Sequence, residues 1–324
     1  MFPRTRMRRN RRTEGLRRLA QETTLTPADF ILPLLILPGK RRREAVSAMP
    51  GVERISTDLL LRRAEAIRSP AVMIFGVPDA ADKDERASAA VREDGLIPGA
   101  VRALKAKRPD LIVITDICIC GYTSHGHCGI LTAASGEVDN DATLEVLSGM
   151  AKAHVAAGAD MVAPSAMADG QVRAIRDALD EGGFHHTAIM SYAAKFASSF
   201  YGPFREAAHS APAFGDRRSY QLPPANRREA IRDALMDEAE GADWLMVKPA
   251  MPYLDVLADL RTATRRPVAA YQVSGEYAML KFAGAASALD EKAAALEAAL
   301  CIHRAGADAI ITYFAEELIE WIAG

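Results

Sequence analysis

The sequence predicts a TIM barrel, eight parallel strands alternating with helices, preceded by an extended amino-terminal arm. Three observations predict it. Eight short apolar runs recur along the 324 residues, at 31–37, 71–77, 111–117, 161–165, 188–193, 244–247, 268–274 and 309–313. Between them lie segments with Ala, Leu, Glu and Arg at helical spacing, such as 141–157, 171–180, 227–240 and 291–305. The tripeptide Gly-Ala-Asp occurs at Gly158, Gly241 and Gly306, each time just before a strand, where the glycine stops a helix and the Ala-Asp turns the chain into the sheet. Alternating βα units argue for a parallel sheet, and eight is the number that closes a barrel. A doubly wound open sheet is the alternative, but no Gly-x-Gly-x-x-Gly opens a helix after a strand, which speaks against a dinucleotide site.

Composition bounds the partners. The chain is 49% hydrophobic and 25% charged, with a net charge of −2, so neither nucleic acid nor an anionic membrane is expected as a partner. The apolar runs are too short to span a membrane and no signal peptide is expected. Four cysteines, three of them clustered, fit a reducing cytoplasm better than a disulfide scaffold. Residues 1–30 read as the arm and 31–324 as the barrel. The first twelve residues carry six arginines (Arg4, Arg6, Arg8, Arg9, Arg11, Arg12) and no acid. A transit peptide or a nucleic-acid arm would share that composition. Docking on a neighbouring subunit is the expected use, because the segment is short and leads directly into the first strand.

In a barrel the chemistry sits at the carboxyl ends of the strands, and three of those ends carry unusual polar residues. The third run leads into Asp116-Ile-Cys-Ile-Cys-Gly-Tyr-Thr-Ser-His-Gly-His-Cys-Gly129. Strand alternation would put Asp116, Cys118 and Cys120 on one face, with Cys128 folding back across the glycines. Three soft sulfur ligands without a fourth suit an open zinc site better than a closed structural one. His125 and His127 are open as a fourth ligand or as outer donors, and buried or bonded cysteines are the plainer alternative. Lys195 and Lys248 each end a strand. Burial lowers a lysine's pKa, a second ammonium lowers it further, and the neutral amine attacks carbonyls. Snorkelling to solvent or phosphate binding is the plainer reading of either lysine alone. Residues 196–221 between them are rich in Gly, Pro, Ser and aromatics and read as a lid. Arg205, Arg217 and Arg218 in that lid could clamp a carboxylate, with a surface ion pair as the alternative for each.

Taken together, 116–129, 191–205, 214–221, 246–255 and 271–277 resemble the porphobilinogen synthase (5-aminolaevulinate dehydratase) family. The resemblance extends over nearly the whole chain after the arm. It implies a TIM barrel assembled as a homo-oligomer, an octamer or a smaller ring such as a hexamer, that condenses two 5-aminolaevulinate molecules to porphobilinogen. It implies that Lys248 forms the imine with the substrate giving the propionate side and Lys195 with the one giving the acetate side. Cys118, Cys120 and Cys128 match zinc ligands. Asp116 and Ser165 match polar residues around the second substrate, and Arg205, Arg217 and Gln221 match lid residues on its carboxylate. Ser274 and Tyr313 match residues on the carboxylate of the first substrate. The sequence departs from the common pattern at Gly121, at Ser219 (so no second zinc site is expected), and at Ala166, Gln171 and Asp233, where the family's allosteric magnesium site would lie. That site is expected to be absent or weak. A Schiff-base aldolase on the same barrel would leave Lys195 and the cysteines unexplained. A zinc-stabilised nucleic-acid-binding protein would need basic charge on the folded part, against a balance of 40 basic to 42 acidic residues.

Overall fold

The computed structural model describes residues 3–323; Met1, Phe2 and Gly324, which belong to the predicted arm and to the end of the barrel, lie outside the described residues. All eight predicted strands are present: β1 (Phe30–Leu37), β2 (Ala71–Gly76), β3 (Ile112–Ile117), β4 (Met161–Pro164), β5 (Ala188–Lys195), β6 (Trp244–Lys248), β7 (Val268–Gln272) and β8 (Ala309–Thr312). Each pairs in parallel with the next, and β8 returns to β1 through Phe30↔Ile310 and Ile31↔Ile311, closing the barrel. Helices Asn140–Ala156, Gln171–Glu181, Arg227–Glu240 and Glu291–Arg304 occupy the predicted segments to within a residue or so.

The carboxyl end of β1 diverges from β8 and takes on a hairpin instead. Strand Glu53–Ser56 pairs with Leu35–Leu37, and Arg43–Ala45 pairs antiparallel with it. The hairpin therefore stands at the end of the barrel where the chemistry is expected.

The three Gly-Ala-Asp turns do more than reverse the chain. Gly158, Gly241 and Gly306 have φ of 104°, 111° and 120°, which favours glycine. Each following aspartate then grips the strand before it. Asp160, Asp243 and Asp308 accept from the backbone N–H of Val113, Ile189 and Val268 at 2.8, 2.8 and 2.7 Å. Their own N–H groups donate to the carbonyls of those same residues. One tripeptide thus fixes the register at three strand pairs.

Between β5 and β6 the register slips. Trp244 and Leu245 pair with Met190 and Ser191, whereas Val247 and Lys248 pair with Ala194 and Lys195. β5 has one residue more than β6 over this stretch, a bulge. Paired residues of neighbouring parallel strands share a face. In a regular strand Tyr192 and Lys195, three positions apart, would point to opposite faces. With the bulge both face the interior, and Lys195 Nζ lies 5.4 Å from the centre of the Tyr192 ring.

His154, on helix Asn140–Ala156, is fully buried with no protein partner for either ring nitrogen. Burial holds it neutral, its pKa pushed down from 6.5 to about 3. Between those values the unfolded chain takes up a proton that the folded chain refuses, so stability falls as pH drops, by about 1.4 kcal/mol per pH unit from this group. Urea unfolding at pH 7 and pH 5 should show this loss, and His154→Leu should remove it.

Candidate active site

The β5–β6 pairing sets Lys195 and Lys248 side by side at the carboxyl end of the barrel. Both are buried. Lys195 Nζ donates to the carbonyl of Ser165, just beyond β4. Lys248 Nζ sits among aromatic faces, 4.1 Å from the Tyr271 ring centre and 4.8 Å from that of Tyr192. Burial, and then the neighbouring Lys195, push the Lys248 amine down to about 7. Asp116, at the end of β3, faces both amines. Burial raises its pKa while Lys195 and Lys248 pull it down, burial prevailing. Its Oδ1 is buried and has no protein partner, as expected of a group directed at a ligand.

β3 stops at Ile117, so Cys118 and Cys120 stand in the loop and not on a continuing strand face. A tight turn, with the N–H groups of Tyr122 and Thr123 both donating to the Ile119 carbonyl, brings the sulfurs together regardless. Cys118 Sγ and Cys120 Sγ are 3.4 Å apart, and the three sulfurs of Cys118, Cys120 and Cys128 lie within 4.8 Å of one another. Three bonds of about 2.3 Å at tetrahedral angles put sulfurs roughly 3.8 Å apart, so the cluster fits one zinc ion with small side-chain adjustment. The Cys128 thiol is pushed down by hydrogen bonding to Cys118 and Cys120 and, further off, by Arg217 and Lys195. Among the described residues the metal-capable group contains these cysteines and no histidine. His127 is committed elsewhere: Nδ1 pairs with the Tyr220 hydroxyl at 3.1 Å and Nε2 with the Phe214 carbonyl at 3.0 Å. His125 Nδ1 accepts from the His127 N–H at 3.1 Å.

Residues 196–222 form the lid. Its ends are joined beside the lysine, through Ala197 N–H to the Leu222 carbonyl and Leu222 N–H to the Lys195 carbonyl, at 2.8 and 3.1 Å. A short helix, Gly202–Ala207, interrupts the predicted loop. The hairpin holds the lid's outer edge: Ser47 donates to Glu206 at 2.7 Å, and Arg54 Nη1 meets His209 Nε2 at 2.8 Å. Arg217 is buried and donates to the carbonyls of Gly126 and Ser210, joining lid to cysteine loop. Burial opposes its charge, but the thiols of Cys128 and Cys120 outweigh it and its pKa is raised. Arg205 responds the other way, lowered by burial and then by Arg217. Gln221 is buried with neither amide atom partnered. Arg218 is not part of this group; it is exposed and pairs with Asp216 at 3.5 Å.

Asp116, Ser165, both lysines, Arg205, Arg217 and Gln221 line one cavity, together with Cys118 and Cys120. Cys128 completes the sulfur cluster beside it. Ser274 and Tyr313 stand beyond Phe204 and Tyr271. Ser274 Oγ accepts from the Phe204 N–H at 3.0 Å, and the Tyr271 hydroxyl donates to that of Tyr313 at 3.4 Å. The cavity volume is about 30 Å³, room for a couple of waters, so residues 196–222 close over the lysines. Sequence reasoning missed Tyr192, whose ring lies beneath both amines, and Glu276, a fully buried carboxylate behind Lys248. An aromatic three residues before a strand-end lysine gave no parity signal, because the bulge is invisible in composition.

A family profile described as "Delta-aminolevulinic acid dehydratase" matches residues 4–321. The protein of that name from Escherichia coli (strain K12) is 55% identical over 318 residues, covering 97% of each chain. That from Synechococcus elongatus is 49% identical over 328 residues, covering 100% of each. Among solved structures, the porphobilinogen synthase of Toxoplasma gondii ME49 in complex with its reaction product porphobilinogen superposes with a TM-score of 0.96 at 43% identity, covering 98% of this chain and 92% of that one.

Proposed function

The chain belongs to the delta-aminolevulinic acid dehydratase family, and from that premise we propose that its two buried lysines carry the reaction as imines. It is a hydro-lyase that condenses two molecules of 5-aminolaevulinate to porphobilinogen with loss of two waters. The observation that carries the imine reading is the pair Lys195–Lys248, adjacent in register and buried, with one amine held near neutrality.

Lys248 Nζ, in its neutral form, adds to the ketone carbon of the substrate that becomes the propionate side; Lys195 does the same for the acetate side. Each addition gives a carbinolamine whose hydroxyl leaves as water. Asp116, the one carboxylate among the described residues lining the cavity, delivers the proton to that oxygen. One imine then loses a proton from the adjoining carbon, and the resulting enamine attacks the other imine carbon. The amino group of one substrate displaces one lysine as it closes the ring, the other lysine leaves by elimination as the adjoining ring carbon gives up a proton, and both amines return unchanged. The two waters of the net reaction are thus the two lost in forming the imines. Arg205, Arg217 and Gln221 hold one substrate carboxylate, with Ser165 beside it, and Ser274 and Tyr313 the other once the lid has moved. Closure excludes water that would hydrolyse the imines. Cys118, Cys120 and Cys128 would hold zinc, which supplies polarisation of a carbonyl or a bound water of lowered pKa.

The reading is tested by incubating purified protein with 5-aminolaevulinate and measuring porphobilinogen, then reducing with borohydride and locating the added mass. Product without modification at either lysine would overturn it.

Assembly and regulation follow from features outside the cavity. The arm exposes Met7 and Leu19, at 73% and 86%, among its arginines, and we assign it to a neighbouring subunit in a cytoplasmic homo-oligomer, octamer or hexamer. Removing residues 1–20 should shrink the particle in sedimentation velocity; an unchanged size would reject the assignment. Among the described residues no helix is long and apolar enough to cross a membrane. Asp233, half-buried, shares a polar hollow with Asp169, Glu229 and Ala166. A shorter carboxylate at 233, no acceptor at 166 and an uncharged Gln171 predict weak magnesium binding. Millimolar magnesium added to metal-stripped, zinc-reloaded enzyme should change the rate less than about two-fold; several-fold activation would contradict this.

A further inference from the structure

The geometry points to Glu276 as a positioning residue for Lys248. β6 ends at Lys248, whose carbonyl accepts from the Phe196 N–H at 2.9 Å and the Tyr201 hydroxyl at 3.2 Å, but the backbone at Ala250 and Met251 lies past the last strand pairing. Glu276 holds that backbone. Its side chain is fully buried, and its carboxylate accepts from three backbone N–H groups. Met251 donates to Oε1 at 2.5 Å; Ala250 and Val273 donate to Oε2 at 3.3 and 2.6 Å. Ala250 and Met251 lie two and three residues beyond Lys248. Val273 lies just past the end of β7, immediately before the helix Ser274–Ala285. One carboxylate therefore ties the exit of the lysine's strand to the start of the helix that bears Ser274.

That helix start is also where the lid rests. A Cβ at Gly275 would come within 2.5 Å of the Phe200 carbonyl oxygen and 2.8 Å of its Cα, an approach only glycine allows. Ser274 Oγ accepts from the Phe204 N–H. The lysine's strand end, the carboxylate-binding helix and the lid thus meet through Glu276, which does not itself line the cavity. A carboxylate suits this place because all three partners are donors. A glutamine would turn an NH₂ group toward N–H groups already there and leave at least one buried donor unsatisfied. The expected consequence is a strand end that relaxes and an amine that no longer sits over Tyr271, while Lys195, on the neighbouring strand and held by the Ser165 carbonyl, stays in place.

The inference rests on the imine reading above, and the test separates the two. Holoenzyme is incubated with 5-aminolaevulinate and reduced with borohydride, and peptides containing Lys195 and Lys248 are quantified by mass spectrometry. Glu276→Gln should lower trapping at Lys248 about ten-fold or more, with trapping at Lys195 within two-fold of the parent. Glu276→Asp, which keeps the charge one methylene back, should fall between. Equal loss at both lysines, or no loss at either, would overturn the assignment. If Glu276→Gln does not fold, Glu276→Asp is read by the same criterion; if neither folds, the residue is only structural and the inference falls. Trapping at neither lysine in the parent enzyme would instead sink the imine reading.

Discussion

Lys248→Ala is expected to abolish porphobilinogen formation, lowering turnover by at least about three orders of magnitude, as removal of a covalent nucleophile does. The loss should be chemical and not a failure to fold. The amine is a burden on the fold: it is buried beside a second lysine, and taking it away removes a desolvated base. The aromatic faces around it do favour its ammonium form, but such contacts are worth about 0.5–2 kcal/mol. The fall from 10.5 to about 7 corresponds to roughly 5 kcal/mol, so desolvation and Lys195 decide. Only the neutral amine attacks a ketone, so imine formation in the parent enzyme should rise with pH up to about 7 and level off above it. Borohydride trapping across pH 5.5–8.5 measures that rise, and circular dichroism of Lys248→Ala checks the fold. Normal turnover in the variant, or trapping that declines as pH rises through 7, would refute the role.

Removal of any one of Cys118, Cys120 or Cys128 should lower zinc content to background and activity by about a hundred-fold or more, as loss of a metal's ligand set does. The sulfurs already converge within 4.8 Å, so the site needs all three and has no described histidine in reserve. A strong chelator should have the same effect on the parent enzyme, reversed by added zinc. Cys301, on helix Glu291–Arg304 and outside the cluster, is the control; Cys301→Ala should keep both metal and rate. Zinc measured by mass spectrometry of the purified variants gives a readout independent of turnover. Full activity with no metal detected would show that the cysteines serve another role.

Both predictions concern residues legible in the sequence, and the reason is physical. Strands buried on both faces in a barrel read as continuous apolar runs, so a lysine or an aspartate at the end of one is conspicuous. Lys195, Lys248 and Asp116 stand out in that way. The cysteines stand out by clustering in sequence, but strand alternation does not join them: β3 has ended at Ile117, and a loop turn at Ile119 accompanies the approach of Cys118 to Cys120. What stayed hidden depends on long-range hydrogen bonds. His127 looked available as a ligand because nothing local announces Tyr220 and Phe214, about ninety residues away. The short helix Gly202–Ala207 was masked by its Gly-Pro start, which reads as loop although proline is well tolerated in a first helical turn. Glu276 sat inside a recognised motif without an assigned task, since its partners Ala250 and Met251 come from a different βα unit.

The extra residue in β5 has a consequence for anyone who would transplant this chemistry. It acts as a frameshift in three dimensions: below Ser191 the strand is counted in one phase, above Ala194 in the other. Deleting the bulged residue would make β5 regular and leave Lys195 paired with Lys248, because paired residues share a face. Two lysines grafted onto another barrel at paired strand ends would therefore meet, but an aromatic copied three residues before the first would point outward unless that offset came with it. What has to travel with the pair is the phase change that keeps Tyr192 beneath both amines.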